Sequence, residues 1–175
     1  RWKAMSAEQM LDDLEDLKER WDYDVVRFQD ANWGVQEKRT KAFCDGLLER
    51  DLSFEWSTTI EVHNILRYKP ETLDLCAETG LYVAGVGGAA AGEEMLKGVG
   101  KQSKPGDTPK AAQELHDRGI VMSLTYIMGY PNEPAHSMFA TLDEARQIVS
   151  DCPSVSAHVY PFRPIPGNSM YREAL

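Results

Sequence analysis

Cysteine is scarce in this sequence, and its three cysteines lie far apart. Cys44, Cys76 and Cys152 form no CxxC or CxxxC pair, the spacing that short metal-binding motifs need. We therefore expect reduced thiols, as in cytoplasmic proteins, where disulfide bonds are rare. A metal site assembled from all three cysteines is the alternative that spacing alone leaves open.

Three other features are lacking. No apolar run approaches the roughly 20 residues that a membrane span needs, and no signal-peptide pattern opens the chain. No cluster of Lys and Arg offsets the formal net charge of −9, which disfavours binding to nucleic acid. We expect a cytoplasmic protein with no membrane or nucleic-acid partner. Because the chain begins with Arg1 rather than Met, we expect an internal piece of a longer protein.

The composition that remains is typical of a single globular domain over residues 1–175, with 42% apolar and 27% charged residues. Apolar and β-branched runs predict strands over residues 25–28, 53–58, 81–86, 120–128 and 155–160. Capping residues and glycines predict helices before the first strand, between the strands and after the last one. Among these signals, Ser6 with Gln9 forms a capping box, and Thr108 is predicted to cap a helix that ends at Gly119.

The order of elements is strand, helix, strand, helix, repeated along the chain. Successive strands begin roughly 30 to 40 residues apart, a separation that parallel strands joined by right-handed helical crossovers require. The predicted fold class is therefore α/β. An open doubly wound sheet and part of a β/α barrel both satisfy this pattern, and we expect strands in sequence order, curved as in a barrel.

Ligands of both architectures bind at the carboxyl ends of the strands. The glycine-rich residues 85–92 follow the third strand and match part of a dinucleotide fingerprint, but no acidic residue follows at the required interval. A phosphate-binding P-loop is excluded because Glu93 stands where that motif has Lys. We favour a loop that approaches a ligand closely over a plain turn. A larger side chain at Gly88 would then fill ligand space.

Single polar residues near other strand ends are weaker signals. Asp30 follows the first strand and either contacts a ligand or forms a turn. The histidines show no metal-ligand spacing. His158 lies in the last strand, where a role in the core or barrel lining and a role as a ligand are equally consistent with the sequence.

The strand ends taken in order resemble the radical SAM (S-adenosylmethionine) superfamily, particularly the group that often carries an upstream cobalamin-binding domain. Residues 1–17 resemble the basic stretch and helix that follow the family's cluster loop, and residues 28–33 (FQDANW) resemble its FxDDxF motif. Residues 73–80 resemble its LxxLxxAG helix end. The more specific matches are residues 88–101 with GxESGxxxxLxxxxK (one residue shorter here, between Gly92 and Leu96), 128–133 (MGYPNE) with xGxPGE, and 162–171 (FRPIPGNSMY) with FxPxPGTxxY.

The chain departs from the family pattern in three places. Ala90 and Ala91 stand where the family has Glu and Ser, so polar contacts to SAM expected from that loop are lacking. Asn168 replaces a Thr. The CxxxCxxC loop does not occur in these 175 residues, and the resemblance places it on a strand before Ser6. The expected fold is thus a partial (β/α)6 barrel of the TIM type, strands two to six, with its first βα unit missing.

The resemblance implies an enzyme that, with a complete 4Fe–4S cluster, cleaves SAM to a 5′-deoxyadenosyl radical that acts on a small organic substrate. Methyl transfer and oxidative cyclisation are both plausible reactions. Implied cofactors are SAM, a 4Fe–4S cluster with upstream ligands, and cobalamin in another domain; an electron-donor protein is an implied partner. This piece alone is expected to be inactive. The predicted cofactor-binding residues are Asp30, Gly87, Gly88, Ala90, Ala91, Gly92, Gly129 and Pro131.

Two alternatives stay open. The first is a non-catalytic relative that keeps the barrel as a binding or scaffold module, which Ala90 and Ala91 favour. The second is a nucleotide-dependent α/β enzyme that uses residues 85–92, against which the missing acidic residue counts.

Overall fold

A computed structural model describes residues 4–167 and 170–172. Strands and helices alternate in it. The strands are β1 (Val25–Arg27), β2 (Glu55–Thr59), β3 (Leu81–Ala89), β4 (Val121–Met128) and β5 (Val155–Pro161). The helices are α1 (Ala7–Trp21), α2 (Glu37–Glu49), α3 (Val62–Arg67), α4 (Pro70–Glu78), α5 (Glu93–Gly98), α6 (Asp107–His116) and α7 (Ala135–Asp151). A single 3-10 turn covers Trp33–Val35.

The strands of the described chain form one parallel sheet in the order β1-β2-β3-β4-β5. This order confirms the predicted α/β class and its barrel-like arrangement, and the open doubly wound alternative is wrong. Right-handed crossovers between strands in sequence order place the connecting helices α2, α4, α6 and α7 on the same face of the sheet. The opposite face is then free of these helices.

Burial follows this arrangement residue by residue, because neighbouring side chains of a strand point to opposite faces. On β4, Met122, Leu124 and Tyr126 are fully buried against the helices, whereas Ser123 and Thr125 between them are half-buried. The helix-free face consists largely of small or polar residues, which include Thr59, Gly85, Gly87, Ser123, Thr125, Ser156 and His158. The carboxyl ends of the strands form one border of this helix-free face.

The main core lies between the sheet and the helices. Under β1 and β2 it contains an aromatic cluster of Phe28, Trp33, Phe43 and Trp56, whose ring centroids lie 5.3 to 6.1 Å apart. Helix α1 packs on α2 across this region. Its predicted capping box is present, since the Ser6 hydroxyl accepts the Gln9 amide proton and the Gln9 side chain accepts from the Ser6 amide.

Four details differ from the sequence prediction. Strand β3 continues through the glycines to Ala89 instead of ending before them. Helix α3 was not predicted, because its six residues are too short to show a helical repeat. Helix α6 begins at Asp107 after Gly106, so Thr108 lies in its first turn and is not its cap. No helix occurs among described residues 162–167 and 170–172, and the remaining positions of the predicted last helix lie outside the described residues.

No helix in the described part of the chain is both long and apolar enough to cross a bilayer.

Candidate active site at the carboxyl edge of the sheet

The glycine-rich end of β3 contains an irregularity in strand pairing. The register with β4 shifts between Gly87 and Ala89, so Gly88 has no direct partner on β4. Ala89 adopts a left-handed backbone conformation with φ of 61°, and the Ala90 amide donates to the Gly88 carbonyl oxygen at 2.9 Å. Bulges of this kind redirect a strand end and occur often beside active sites. The strand therefore turns sharply where the family resemblance places a ligand.

The two glycines of the bulge face opposite sides. A Cβ atom at Gly88 would lie 2.6 Å from Cε1 of Tyr126, inside the helix-facing core. A side chain at Gly88 would therefore collide with Tyr126 and would not fill ligand space, contrary to the sequence interpretation. A Cβ at Gly87 would lie 3.2 Å from Nζ of Lys101, so Gly87 is the residue that leaves room on the helix-free side.

Lys101 forms an ion pair at this edge. Its Nζ atom lies 2.9 and 2.8 Å from the two carboxylate oxygens of Glu61, which follows β2. The side chains keep only 21% and 28% of their exposure, respectively. Both residues line a cavity of about 320 Å³ together with Asn32 and His63. Asn32 accepts a hydrogen bond from the Glu61 amide at 3.4 Å, so the cavity wall joins the ends of β1 and β2.

His63 is the titratable ring of this cavity. Burial lowers the pKa of its imidazole, opposed by the charge of Glu61, and the lowered pKa favours the uncharged ring. Its Nδ1 atom is buried and makes no hydrogen bond within the described chain.

Residues 90–92, which follow β3, are held by helices. Ala90 is 1% exposed and packs with Met95 and Tyr130 in a small second core. The Ala91 amide donates to the Thr141 hydroxyl of α7 at 3.2 Å. Gly92 precedes helix α5 as its N-cap residue. A Glu side chain at position 90, which the family pattern has, would be buried here in apolar surroundings.

The end of β4 turns at Gly129, which has φ of 79°. The carboxylate of Glu133 accepts hydrogen bonds from the backbone amides of Gly129 at 2.7 Å and Tyr130 at 3.2 Å. Its other oxygen accepts from the Ser137 hydroxyl at 3.0 Å. Pro131 lies within this turn. The Glu133 side chain thus bonds the backbone of its own loop, and the Gly129 amide already has a hydrogen-bond acceptor.

Beside this turn, the ends of β4 and β5 border an open cavity of about 820 Å³. Its walls are mainly apolar and aromatic, with ring centroids of Tyr130 and Phe162 5.2 Å apart. Further lining residues are Gly98, Val99, Gly100, Thr125, Ile127, Tyr160, Pro161, Arg163, Ile165 and Met170. Gly100 also lines the smaller cavity with Lys101, so the charged and apolar cavities adjoin.

Asp30 lies elsewhere. It lines a different cavity, of about 290 Å³, with Arg39, Phe28 and the first residues of α1. Burial lowers the pKa of the Arg39 guanidinium, and the negative charge of Asp30 opposes this shift. Asp30 and Arg39 thus share the wall of this separate cavity.

The structure thus brings Gly87, Ala90, Gly92, Gly129 and Pro131 to neighbouring strand ends and separates Asp30 from them. A ligand role for each predicted residue stays a prediction. Sequence reasoning did not single out Glu61 and Lys101. A usable signal existed for both residues: Glu61 comes two residues after a strand, and Lys101 ends the motif of residues 88–101.

The cysteines do not gather into one group. Cys44 and Cys76 lie 3.8 Å apart, sulfur to sulfur, in the core between α2 and α4, whereas Cys152 contacts Gln113. No group of three or more His, Cys, Asp or Glu side chains that could hold a metal ion occurs within residues 4–167 and 170–172. Asn168 lies outside the described residues.

Comparison with known proteins places these features in context. No protein-family model matches the chain. The chain is 27% identical over 172 residues to the anaerobic magnesium-protoporphyrin IX monomethyl ester cyclase of Rubrivivax gelatinosus, a match that covers 98% of the chain and 30% of the cyclase.

Two solved structures are similar over nearly the same range. The cobalamin-dependent radical SAM enzyme OxsB, with aqua-cobalamin bound, gives a TM-score of 0.73 at 17% identity, over 99% of this chain and 25% of OxsB. The radical SAM methyltransferase TsrM of Kitasatospora setae, with cobalamin and a 4Fe–4S cluster bound, gives 0.75 at 16% identity, over 91% of this chain and 30% of TsrM. The resemblance found in the sequence is confirmed: the chain has the fold of a partial radical SAM barrel. It spans under a third of the length of these three proteins.

Proposed function

We propose that this chain, a partial radical SAM barrel by fold, is the SAM-holding part of a radical SAM enzyme. The observation that carries this proposal is the Glu61–Lys101 ion pair beside Gly87 at the carboxyl edge of the sheet. One acidic and one basic group, both partly withdrawn from water, match the ammonium and carboxylate of an α-amino acid head group. SAM ends in such a head group.

The two adjoining cavities also fit the rest of SAM. Its methionine head is polar and doubly charged, whereas its adenine is flat and aromatic. The smaller cavity contains Glu61 and Lys101, and the larger one is walled by Tyr130 and Phe162. Aromatic side chains bind flat rings by offset stacking, at about 0.5–1.5 kcal/mol per pair beyond the area buried. The larger cavity has a volume of about 820 Å³, which leaves room for a substrate.

In this proposal, the residues of this chain bind SAM and orient it. Gly87 keeps the approach to Lys101 open, because any side chain there would meet its ammonium group. The uncharged form of the His63 imidazole, which its lowered pKa favours, adds no competing charge. Apolar residues around the larger cavity exclude water from the reacting groups. When bound together, SAM and a reduced 4Fe–4S cluster supply the radical chemistry, which belongs to the cofactors rather than to the protein.

The proposal extends to the whole protein. We infer that cysteines outside residues 1–175 hold the cluster, that a protein or small reductant delivers electrons, and that the substrate is a small organic molecule. Methyl transfer and oxidative cyclisation are the two reactions we propose. The names of the relatives support both, since one is a cyclase and one a methyltransferase. Cobalamin is proposed as a further cofactor on the same support.

The proposed function predicts that the full-length protein, with its cluster reconstituted without oxygen and reduced by dithionite, consumes SAM. Chromatography of the products separates the two reactions. 5′-Deoxyadenosine with methionine indicates radical formation, and S-adenosylhomocysteine indicates methyl transfer. A reaction without dithionite is the control. If the reconstituted protein leaves SAM intact, with and without added cobalamin, it is not a radical SAM enzyme.

A further inference from the structure

One side of the α7 segment carries four polar side chains at helical spacing, and each of them is bonded. They are Glu133, Ser137, Thr141 and Glu144. Residues separated by three or four positions lie above one another on the same helix face. This face is turned towards the sheet, since Ser137 is 7% exposed and Thr141 is fully buried. Buried polar side chains need partners, and the partners here include backbone amides of the loops after β3 and β4 and a side chain of β4.

The partners can be followed along the helix. Glu133 accepts the amide protons of Gly129 and Tyr130 after β4. About two turns on, the Thr141 hydroxyl accepts the amide proton of Ala91 after β3. Further on, Glu144 accepts the Tyr126 hydroxyl proton at 2.6 Å. Tyr126 is the residue whose ring lies under Gly88.

The loop after β3 needs such support, because its backbone is strained. Ala89 has a left-handed backbone conformation, which L-residues disfavour. Strained backbone persists only where the surroundings hold it. No side chain of residues 88–92 can do this, because all five are Gly or Ala. The hydrogen bond from the Ala91 amide to the Thr141 hydroxyl connects this loop to a side chain of another element.

We propose that Thr141 is a positioning residue that fixes the conformation of residues 88–92 and thereby the SAM site beside them. This inference rests on the proposed function. In effect, a hydroxyl on α7 replaces the anchoring that Glu and Ser side chains could supply if the loop had them. The hydroxyl uses both of its capacities, since it also donates to the Ser137 carbonyl oxygen at 3.1 Å.

The test compares Thr141→Val with Thr141→Ser in the full-length, cluster-reconstituted protein. Valine keeps the shape of threonine and removes the hydroxyl, whereas serine keeps the hydroxyl. Two quantities are measured: hydrogen exchange of the amides of residues 88–92, and SAM affinity by anaerobic calorimetry. Thr40→Val is the matched control, because Thr40 is also a buried helix threonine with a bonded hydroxyl, and it lies on α2.

For Thr141→Val we expect faster exchange at Ala91 and an affinity for SAM lowered about five- to tenfold, the factor corresponding to one neutral hydrogen bond. Serine should restore both values, and Thr40→Val should change neither. Unchanged exchange at Ala91 in Thr141→Val would overturn the inference, whatever happens to SAM. Faster exchange with unchanged affinity would refute the positioning role and leave the proposed function standing. If the wild-type protein does not bind SAM, the proposed function fails, and exchange alone decides whether Thr141 holds the loop.

Discussion

Replacing Lys101 by methionine is expected to weaken SAM binding by about a hundredfold, because hydrogen bonds to charged groups contribute about 1.5–3 kcal/mol each. Methionine keeps much of the length and apolar character of lysine and removes its charge. The SAM carboxylate would lose its cationic partner, and Glu61 would be left without the ammonium group that now lies 2.8 Å away. Glu61→Gln should weaken binding in the same direction, through the ammonium group of SAM.

Lys97→Met is the matched control. Lys97 lies four residues earlier, pairs with Glu93 on the surface of α5, and keeps 75% of its side-chain exposure. Exposed ion pairs contribute little, so this variant should bind SAM as the wild type does. Calorimetry on the full-length reconstituted protein, with a thermal melt of each variant, separates binding from stability. Equal affinities for the Lys101 and Lys97 variants would show that the Glu61–Lys101 pair is not part of the SAM site.

Replacing Gly80 by alanine is expected to lower the free energy of unfolding by about 3 kcal/mol, since two penalties of about 1–2 and 1–3 kcal/mol combine. Gly80 has φ of 95°, a conformation that side chains disfavour. An added Cβ would also lie 2.4 Å from the carbonyl oxygen of Phe54. That oxygen belongs to the backbone just before β2, so it cannot move without shifting the strand.

Gly119→Ala separates the two penalties. Gly119 has φ of 72°, and an added Cβ there meets no atom within 4 Å. This variant should therefore lose only the conformational part, about 1–2 kcal/mol. Denaturant unfolding of both variants measures the difference. An equal loss of unfolding free energy in Gly80→Ala and Gly119→Ala would contradict this expectation. It would show that the Phe54 carbonyl group can move away from position 80 at no cost.

Local signals in the sequence were sufficient to predict most of the fold. Ser6 and Gln9 placed the start of α1, because capping effects act within one turn. The spacing of the strands limited the topology to parallel arrangements, and the motif order favoured the barrel form. Helix α3 escaped prediction because its six residues are held by contacts with α6 and β3 rather than by a repeat of their own.

The site was predicted less well, and Gly88 shows why. A run of glycines after a strand indicates close approach, but the sequence does not say what approaches. In the structure Gly88 admits the ring of Tyr126, which is 38 residues further along, and Gly87 admits Lys101. Ala90, predicted to bind the cofactor, packs against Met95 and Tyr130 in the second core. Such partners are brought together by tertiary packing and leave no local pattern.

Glu61 and Lys101 illustrate the same limit. They are 40 positions apart and belong to the ends of different βα units, so neither residue indicates the other in the sequence. The parallel sheet makes them neighbours because all strands end at one edge. A search for charged residues within a few positions of every strand end would have found Glu61, while Lys101 required the course of the chain after α5.

The most direct test is a structure of the full-length protein, crystallised without oxygen with its 4Fe–4S cluster and SAM. We expect the ammonium group of SAM within hydrogen-bond distance of the Glu61 carboxylate, its carboxylate within that distance of Lys101 Nζ, and its adenine against Tyr130 or Phe162. SAM bound elsewhere, with the Glu61–Lys101 pair intact and no contact to Gly87, would refute the proposed site.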